Sequence, residues 1–146
     1  MHGVVFYKLA SGGKRTCSGT VVDSRYKSLV WTAGSCVADS AAQRFRSGVV
    51  FVPGYRRGDA PFGRWSAKSL FVKTDYIQNG NPKLDYGGIL VEKRKVNGHT
   101  RTLQGTVGSL GIEFNKSRDR SLDAFGYPDN NTYDGQRELR CAARPS

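Results

Sequence analysis

The chain has 146 residues, a length that suits one domain and allows about 68–70% of the unfolded surface to be buried. Hydrophobic residues make up 38% of it and there are 18 glycines, a mixture typical of a loop-rich β protein rather than a helical bundle. No apolar run approaches the about 18 residues that a membrane span requires, so we expect no membrane association. The net charge of +11 predicts only non-specific attraction to nucleic acid and other polyanions.

The predicted elements are short strands. In chain order, β-rich runs bounded by turn residues predict strands at residues 4–7, 16–22, 29–32, 48–52, 65–72, 87–92, 124–127 and 136–141. Residues 38–46 contain one large apolar residue, Phe45, and are predicted to form a loop with at most a helical turn. Because no helical period is sustained, we predict an all-β barrel or sandwich, divided between residues 97 and 105.

The basic residues are dispersed along the chain. The densest cluster, residues 93–95 with Arg101, flanks an Asn97-Gly98 hairpin signal rather than a row of aromatic residues. No nucleic-acid-binding motif accompanies the charge, so a solvated basic face is favoured over a nucleic-acid site.

The chain has three cysteines, Cys17, Cys36 and Cys141, and two histidines. Their spacings match no zinc pattern, so neither a metal nor another cofactor is expected. An odd number of cysteines fits one disulfide and one unpaired thiol, which indicates an oxidising compartment for the native protein.

Two motifs resemble the trypsin-like (chymotrypsin-fold) serine endopeptidases. Residues 32–36 read Thr-Ala-Gly-Ser-Cys, where the family has its catalytic His at the fourth position, so Ser35 occupies that position here. Residues 84–87 read Leu-Asp-Tyr-Gly and precede an apolar run, as does the family's catalytic Asp, which places Asp85 at the triad Asp position.

The resemblance extends to the end of the chain. Residues 125–128, 133–136 and 140–141 are similar to the second barrel of the bacterial secreted branch that includes glutamyl-endopeptidase-like proteases. It implies a chymotrypsin-like antiparallel fold, with a complete six-stranded first barrel at residues 1–97 and a truncated second barrel at 98–146. It also implies secretion, although the first residues lack a secretory signal: either the signal has been removed or this product stays inside the cell.

The resemblance also bears on the cysteines. Cys17 and Cys36 can be joined by a disulfide closing a loop of about 20 residues, worth roughly 3 kcal/mol. In the resembled branch the cysteine at position 141 bonds a cysteine near the nucleophile segment, which is absent here. Cys141 is therefore expected to be a free thiol or to pair between chains.

The departures from the family predict a catalytically inactive homologue. The ancestral activity is peptide-bond hydrolysis, in which a Ser attacks, a His takes its proton and an Asp orients the His. A hydroxyl at Ser35 cannot serve as the base, and no Gly-x-Ser-Gly-Gly-Pro nucleophile segment occurs before Ser146. The two imidazoles, His2 and His99, lie outside the motifs, and His99 adjoins the predicted hairpin turn.

Two other functions remain open. The chain could be a basic binding or scaffold module for an acidic partner, or one chain of a split serine protease, although complementation would still lack the base. The missing strands of the second barrel predict self-association or a strand-completing partner.

Overall fold

The computed structural model describes residues 1–111, 122–130 and 132–143. The strands are β1 His2–Lys8, β2 Lys14–Val21, β3 Leu29–Thr32, β4 Ala38–Asp39, β5 Arg44–Phe45, β6 Ser47–Pro53, β7 Trp65–Val72, β8 Gly87–Val91, β9 Arg94–Val96, β10 His99–Arg101, β11 Leu122–Gly126 and β12 Leu139–Ala143. The helices are α1 Gly34–Val37, α2 Thr74–Asn79 and α3 Leu103–Val107, with a 3-10 turn at Pro82–Leu84. None of these helices has the length and apolar character needed to cross a membrane.

Six strands close into an antiparallel barrel in the order β1-β2-β3-β8-β7-β6. The barrel closes where β1 pairs with β6, and this ladder has a register shift between Phe6 and Lys8. Such a shift bends and twists a strand, as closure of a sheet on itself requires. The predicted all-β, chymotrypsin-like antiparallel barrel is confirmed, while the division of the chain at residue 97 stays a prediction.

Most of the barrel core consists of side chains that point inward from alternate strand positions, and helices α1 and α3 add Val37 and Leu103. The two largest, Trp65 and Phe51, are fully buried, and burial of each contributes about 1.5–3 kcal/mol. The Trp65 indole N–H is satisfied because it donates to the Phe62 carbonyl over 2.9 Å. The other members of the cluster are Val5, Tyr7, Val21, Val30, Val37, Val49, Ile89, Val91 and Leu103.

A two-stranded sheet formed by β11 and β12 follows the barrel in sequence. Tyr127, which directly follows β11, packs against the barrel in a second buried cluster with Val4, Val52 and Tyr55. Its backbone N–H donates to the Ser18 hydroxyl over 2.7 Å. Burial, together with the neighbouring Glu138 carboxylate, raises the pKa of Tyr127 to about 12. These contacts attach the C-terminal sheet to the outside of the barrel.

Residues 38–46 differ from the sequence prediction, because they form the hairpin β4–β5 rather than a loop with a helical turn. The Asp39 carboxylate accepts hydrogen bonds from the backbone N–H groups of Ala41 and Ala42, which fixes the turn. Gln43 completes it in a left-handed conformation with φ 53°. The predicted hairpin at Asn97 is confirmed: this residue and Gly98 have φ of 51° and 79°, as the tight turn between β9 and β10 requires.

The structure contains the predicted disulfide between Cys17 in β2 and Cys36 in α1. Cys36 is buried beneath the barrel end. The bond therefore holds the segment after β3 against the neighbouring strand β2.

Removing this disulfide in the double variant C17S/C36S is expected to lower the free energy of unfolding by about 3 kcal/mol, because the unfolded chain gains the entropy of a loop spanning 19 residues. Urea unfolding followed by Trp fluorescence measures the loss. Cys141→Ser is the matched control and should leave stability unchanged, since Cys141 is exposed and outside the bond. Equal midpoints for the wild type and the double variant would contradict this prediction.

Candidate functional site

Ser35 and Asp85 are brought together by the pairing of β3 with β8. The ladder runs from Leu29 opposite Leu90 to Thr32 opposite Gly87. Because the strands are antiparallel, the end of β3 and the beginning of β8 lie at the same edge of the barrel. There the Ser35 backbone N–H donates to Asp85 Oδ1 over 2.9 Å, although the two residues are 50 positions apart in the sequence.

Close packing at this edge depends on two glycines. A Cβ atom at Gly34 would lie 3.1 Å from both Asp85 Oδ1 and Tyr76 Cε1. A Cβ atom at Gly87 would lie 2.6 Å from Val37 Cγ2, a distance that real Cβ atoms do not tolerate without movement. Helix α1 therefore approaches β8 and the Asp85 carboxylate closely only because both positions lack a side chain.

Tyr76 in α2 forms the floor of the site and is only 7% exposed. Burial raises the pKa of Tyr76 above its ordinary value, and the negative charge of Asp85 raises it further. The neighbouring Ser35 and Ser40 hydroxyls and the Arg46 charge lower the pKa of Tyr76 but do not cancel the increase.

Arg46, between β5 and β6, forms one wall of the site. Its Nε donates to the Ser35 carbonyl over 3.2 Å, and its terminal nitrogen lies 3.6 Å from Asp39 Oδ2. The guanidinium also lies over the Tyr7 ring, 4.7 Å from the ring centre. Sequence analysis missed this residue, because its three partners come from different elements and no local motif identifies it.

The chemistry of the site is that of hydroxyls, one carboxylate and one guanidinium. His2, on β1, hydrogen-bonds Thr20 Oγ1 and stacks on Phe125, and His99 lies exposed on β10. Neither a serine hydroxyl nor a tyrosine with a raised pKa is a general base at neutral pH. In addition, the Asp85 side chain is exposed rather than buried.

Of the remaining predicted residues, Cys141 lies exposed on β12 opposite Ala124, and it forms no disulfide within the described chain. Across residues 1–111, 122–130 and 132–143, no group of three or more His, Cys, Asp or Glu side chains could hold a metal ion.

Comparison with solved structures identifies the fold family. The crystal structure of the protease Anisep from Arthrobacter nicotinovorans matches with a TM-score of 0.85 and 34% identity, over 98% of this chain and 63% of that one. The thermostable serine protease AL20 from an extremophilic microorganism matches with a TM-score of 0.88 and 31% identity, over 98% and 64%. This chain belongs to the trypsin-like, chymotrypsin-fold serine protease family.

A third trypsin-like structure, a Glu endopeptidase, matches with a TM-score of 0.73 and 17% identity, over 97% of this chain and 60% of that one, and shows the shared fold alone. The chain spans less than two thirds of the length of all three proteases. No protein-family model and no curated protein sequence matches it.

The proximity of Tyr76 and Asp85 in this trypsin-like site is testable through the tyrosine pKa. In the wild type, NMR of ring-labelled tyrosine should show Tyr76 ionising above the ordinary value of 10.0. Asp85→Asn removes a negative charge, so the Tyr76 pKa should fall but stay raised, because burial is the larger cause.

The raised pKa of Tyr76 also makes the stability of the fold depend on pH. A raised tyrosine pKa stabilises the folded state below pH 10, and this contribution is lost as the pH rises further.

The NMR measurement of the Tyr76 pKa has a matched control, Asp75→Asn, which removes a carboxylate from the same helix. An unchanged Tyr76 pKa in Asp85→Asn would contradict the proximity of the Asp85 carboxylate to Tyr76.

Proposed function

We propose that the chain is a non-catalytic homologue of the trypsin-like serine proteases, with Asp85 at the triad Asp position and Ser35 in place of the triad His. The observation that carries this proposal is the hydrogen bond from the Ser35 backbone N–H to Asp85 Oδ1. It puts residue 35 beside the carboxylate, where a base would be oriented, and the side chain there is a hydroxyl.

The loss of the base is sufficient for inactivity. In the family's mechanism an imidazole removes the proton of the attacking serine and later returns it to the leaving amine. Loss of the base alone reduces kcat about a million-fold in a protease that carries the same triad on an unrelated fold. Because the side chain at residue 35 is a hydroxyl, a longer protein that contains this chain would lack an imidazole at this position equally.

The proposal does not depend on the nucleophile. Residues 1–146 contain no Gly-x-Ser-Gly-Gly-Pro segment, which in the family also carries the donors of the oxyanion hole, and they span less than two thirds of the matched proteases. A split protease, in which another chain supplies the nucleophile, is disfavoured because the pair would still lack a base.

We also place the ancestry in the bacterial secreted branch and the protein outside the cell. Two observations support this placement: the Cys17–Cys36 disulfide, which persists in oxidising compartments, and the similarity to Anisep and AL20. The ancestral substrate would be a protein or peptide.

A peptide-ester hydrolysis assay tests the proposal. The wild type, Ser35→His and the matched control Ser35→Ala should all show no turnover above buffer, because Ser35→His restores the base without a nucleophile. Turnover by the wild type would overturn the assignment of an inactive chain. Turnover by Ser35→His that a serine-directed inhibitor blocks would instead overturn the expectation that this chain supplies no nucleophile.

We further propose that the chain self-associates unless a strand-completing partner is present. The sheet that follows the barrel supports this proposal: among the described residues the ladder partner of β11 is β12, and a sheet of two strands has two edges. Such edges recruit strands from other chains.

Sedimentation of the purified chain should therefore show dimers or larger species whose fraction rises with protein concentration. The comparison with Cys141→Ser, run without reductant, separates strand association from an intermolecular disulfide at Cys141. A monomer at all concentrations would count against self-association.

A further inference from the structure

A basic groove crosses the barrel surface away from Ser35 and Asp85. It encloses about 610 Å³ between the β2–β3 turn, β7 and the segment that follows β8. Four cationic side chains line it: Arg25, Lys27, Lys68 and Lys93. Arg25 and Lys27 belong to one turn, whereas Lys68 and Lys93 lie far from them in the sequence and reach the groove only because the barrel strands pair. We call this cavity, with these four residues, the basic groove.

The backbone beneath the basic groove is fixed by hydrogen bonds. The Lys27 N–H donates to the Ser24 carbonyl over 3.1 Å, and the Lys27 carbonyl accepts from the Gln104 N–H over 2.9 Å. On the other side, the Glu92 N–H donates to the Ser66 carbonyl over 2.8 Å. The cations therefore extend from a rigid frame, which lowers the ordering cost of binding.

Among the described residues, the four cations of the basic groove have no acidic partner. Within those ranges none of them forms an ion pair, because the one salt bridge there joins Arg46 to Asp39. Of the described residues that line the groove, Glu92 is the only acidic one. Charges gathered in a cleft reinforce one another and attract anionic partners from solution.

An apolar groove of about 420 Å³ adjoins the basic groove, and the two share Tyr26 and Leu90. Its exposed aromatic rings include Trp31 and Phe71, which are 42% and 50% exposed. Trp31 stacks on Tyr86 with ring centres 5.5 Å apart, so each ring already has one face covered.

We propose that the basic groove binds an acidic segment of another protein, whose carboxylates pair with the four cations and whose apolar side chain enters the adjoining groove. A second copy of this chain fits poorly, because it also carries a net charge of +11. A single-stranded nucleic acid is disfavoured because no nucleic-acid-binding motif accompanies these cations, and because one face of Trp31 and one face of Tyr86 are already occupied by the other ring.

Fluorescence anisotropy with a labelled Glu-rich peptide carrying one Leu tests this binding. The double charge reversal K68E/K93E should weaken peptide binding about tenfold at low salt, because it converts two attractive contacts into repulsive ones. Raising NaCl from about 20 to about 300 mM should weaken wild-type binding as the charges become screened.

The double variant K14E/K83E is the matched control, since it changes the net charge equally. Lys14 lies at the opposite end of β2 from the β2–β3 turn, and Lys83 precedes β8 whereas Lys93 follows it. This control should retain wild-type affinity within about twofold, because charges beyond a Debye length are largely screened.

Three results would overturn the proposal. They are no binding of the peptide, equal weakening by both double variants, and tighter binding of a labelled oligo-dT strand that displaces the peptide from the groove. Circular dichroism of each variant confirms that the barrel is folded, and the control peptide with Gln in place of Glu should not bind.

Discussion

The antiparallel pairing of β3 with β8 is the constraint on which the candidate site depends. Strand pairing fixes the register of Thr32 against Gly87. This register in turn positions α1, which follows β3, and the turn at Asp85, which precedes β8. The Cys17–Cys36 disulfide and the hydrogen bond from the Thr32 hydroxyl to the Ser18 carbonyl hold the same edge to β2. The hydrogen bond from the Ser35 backbone N–H to the Asp85 carboxylate, between residues 50 positions apart, then follows from barrel topology rather than from local sequence.

The parts that build the site also stabilise the fold. Gly34 and Gly87 permit the close approach of α1 to β8, and the disulfide restricts the unfolded chain, whatever residue stands at position 35. These contributions to stability do not require catalysis. The Asp85 carboxylate likewise retains a partner, the Ser35 N–H, that does not depend on the side chain of residue 35.

The sequence predicts the strands well because residues such as those of β6 and β8 combine β-branched side chains with flanking turn residues. The sequence does not predict the hairpin at 38–46, because strands of two residues are too short to show a periodic pattern. It does not predict α3 either, because a helix of five residues, capped by Thr102 and followed by Gly108, is too short to show a helical period. Ser35 and Asp85 were found through motifs, whereas Arg46 and the basic groove could not be. Arg46 contacts residues that are distant from it or from one another in the sequence. The lysines of the basic groove, Lys68 and Lys93, come together only when β7 and β8 pair.

The neighbours of residue 35 also determine which side chain could function there. Arg46 donates to the Ser35 carbonyl, and a Cβ atom at Gly34 would lie 3.1 Å from the Tyr76 ring, so the surroundings of this position are already filled on two sides. The positive charge of Arg46 would oppose protonation of an imidazole placed at position 35. A single substitution there would therefore supply a base whose charged form Arg46 disfavours, and that charged form is the one a general base must reach during catalysis.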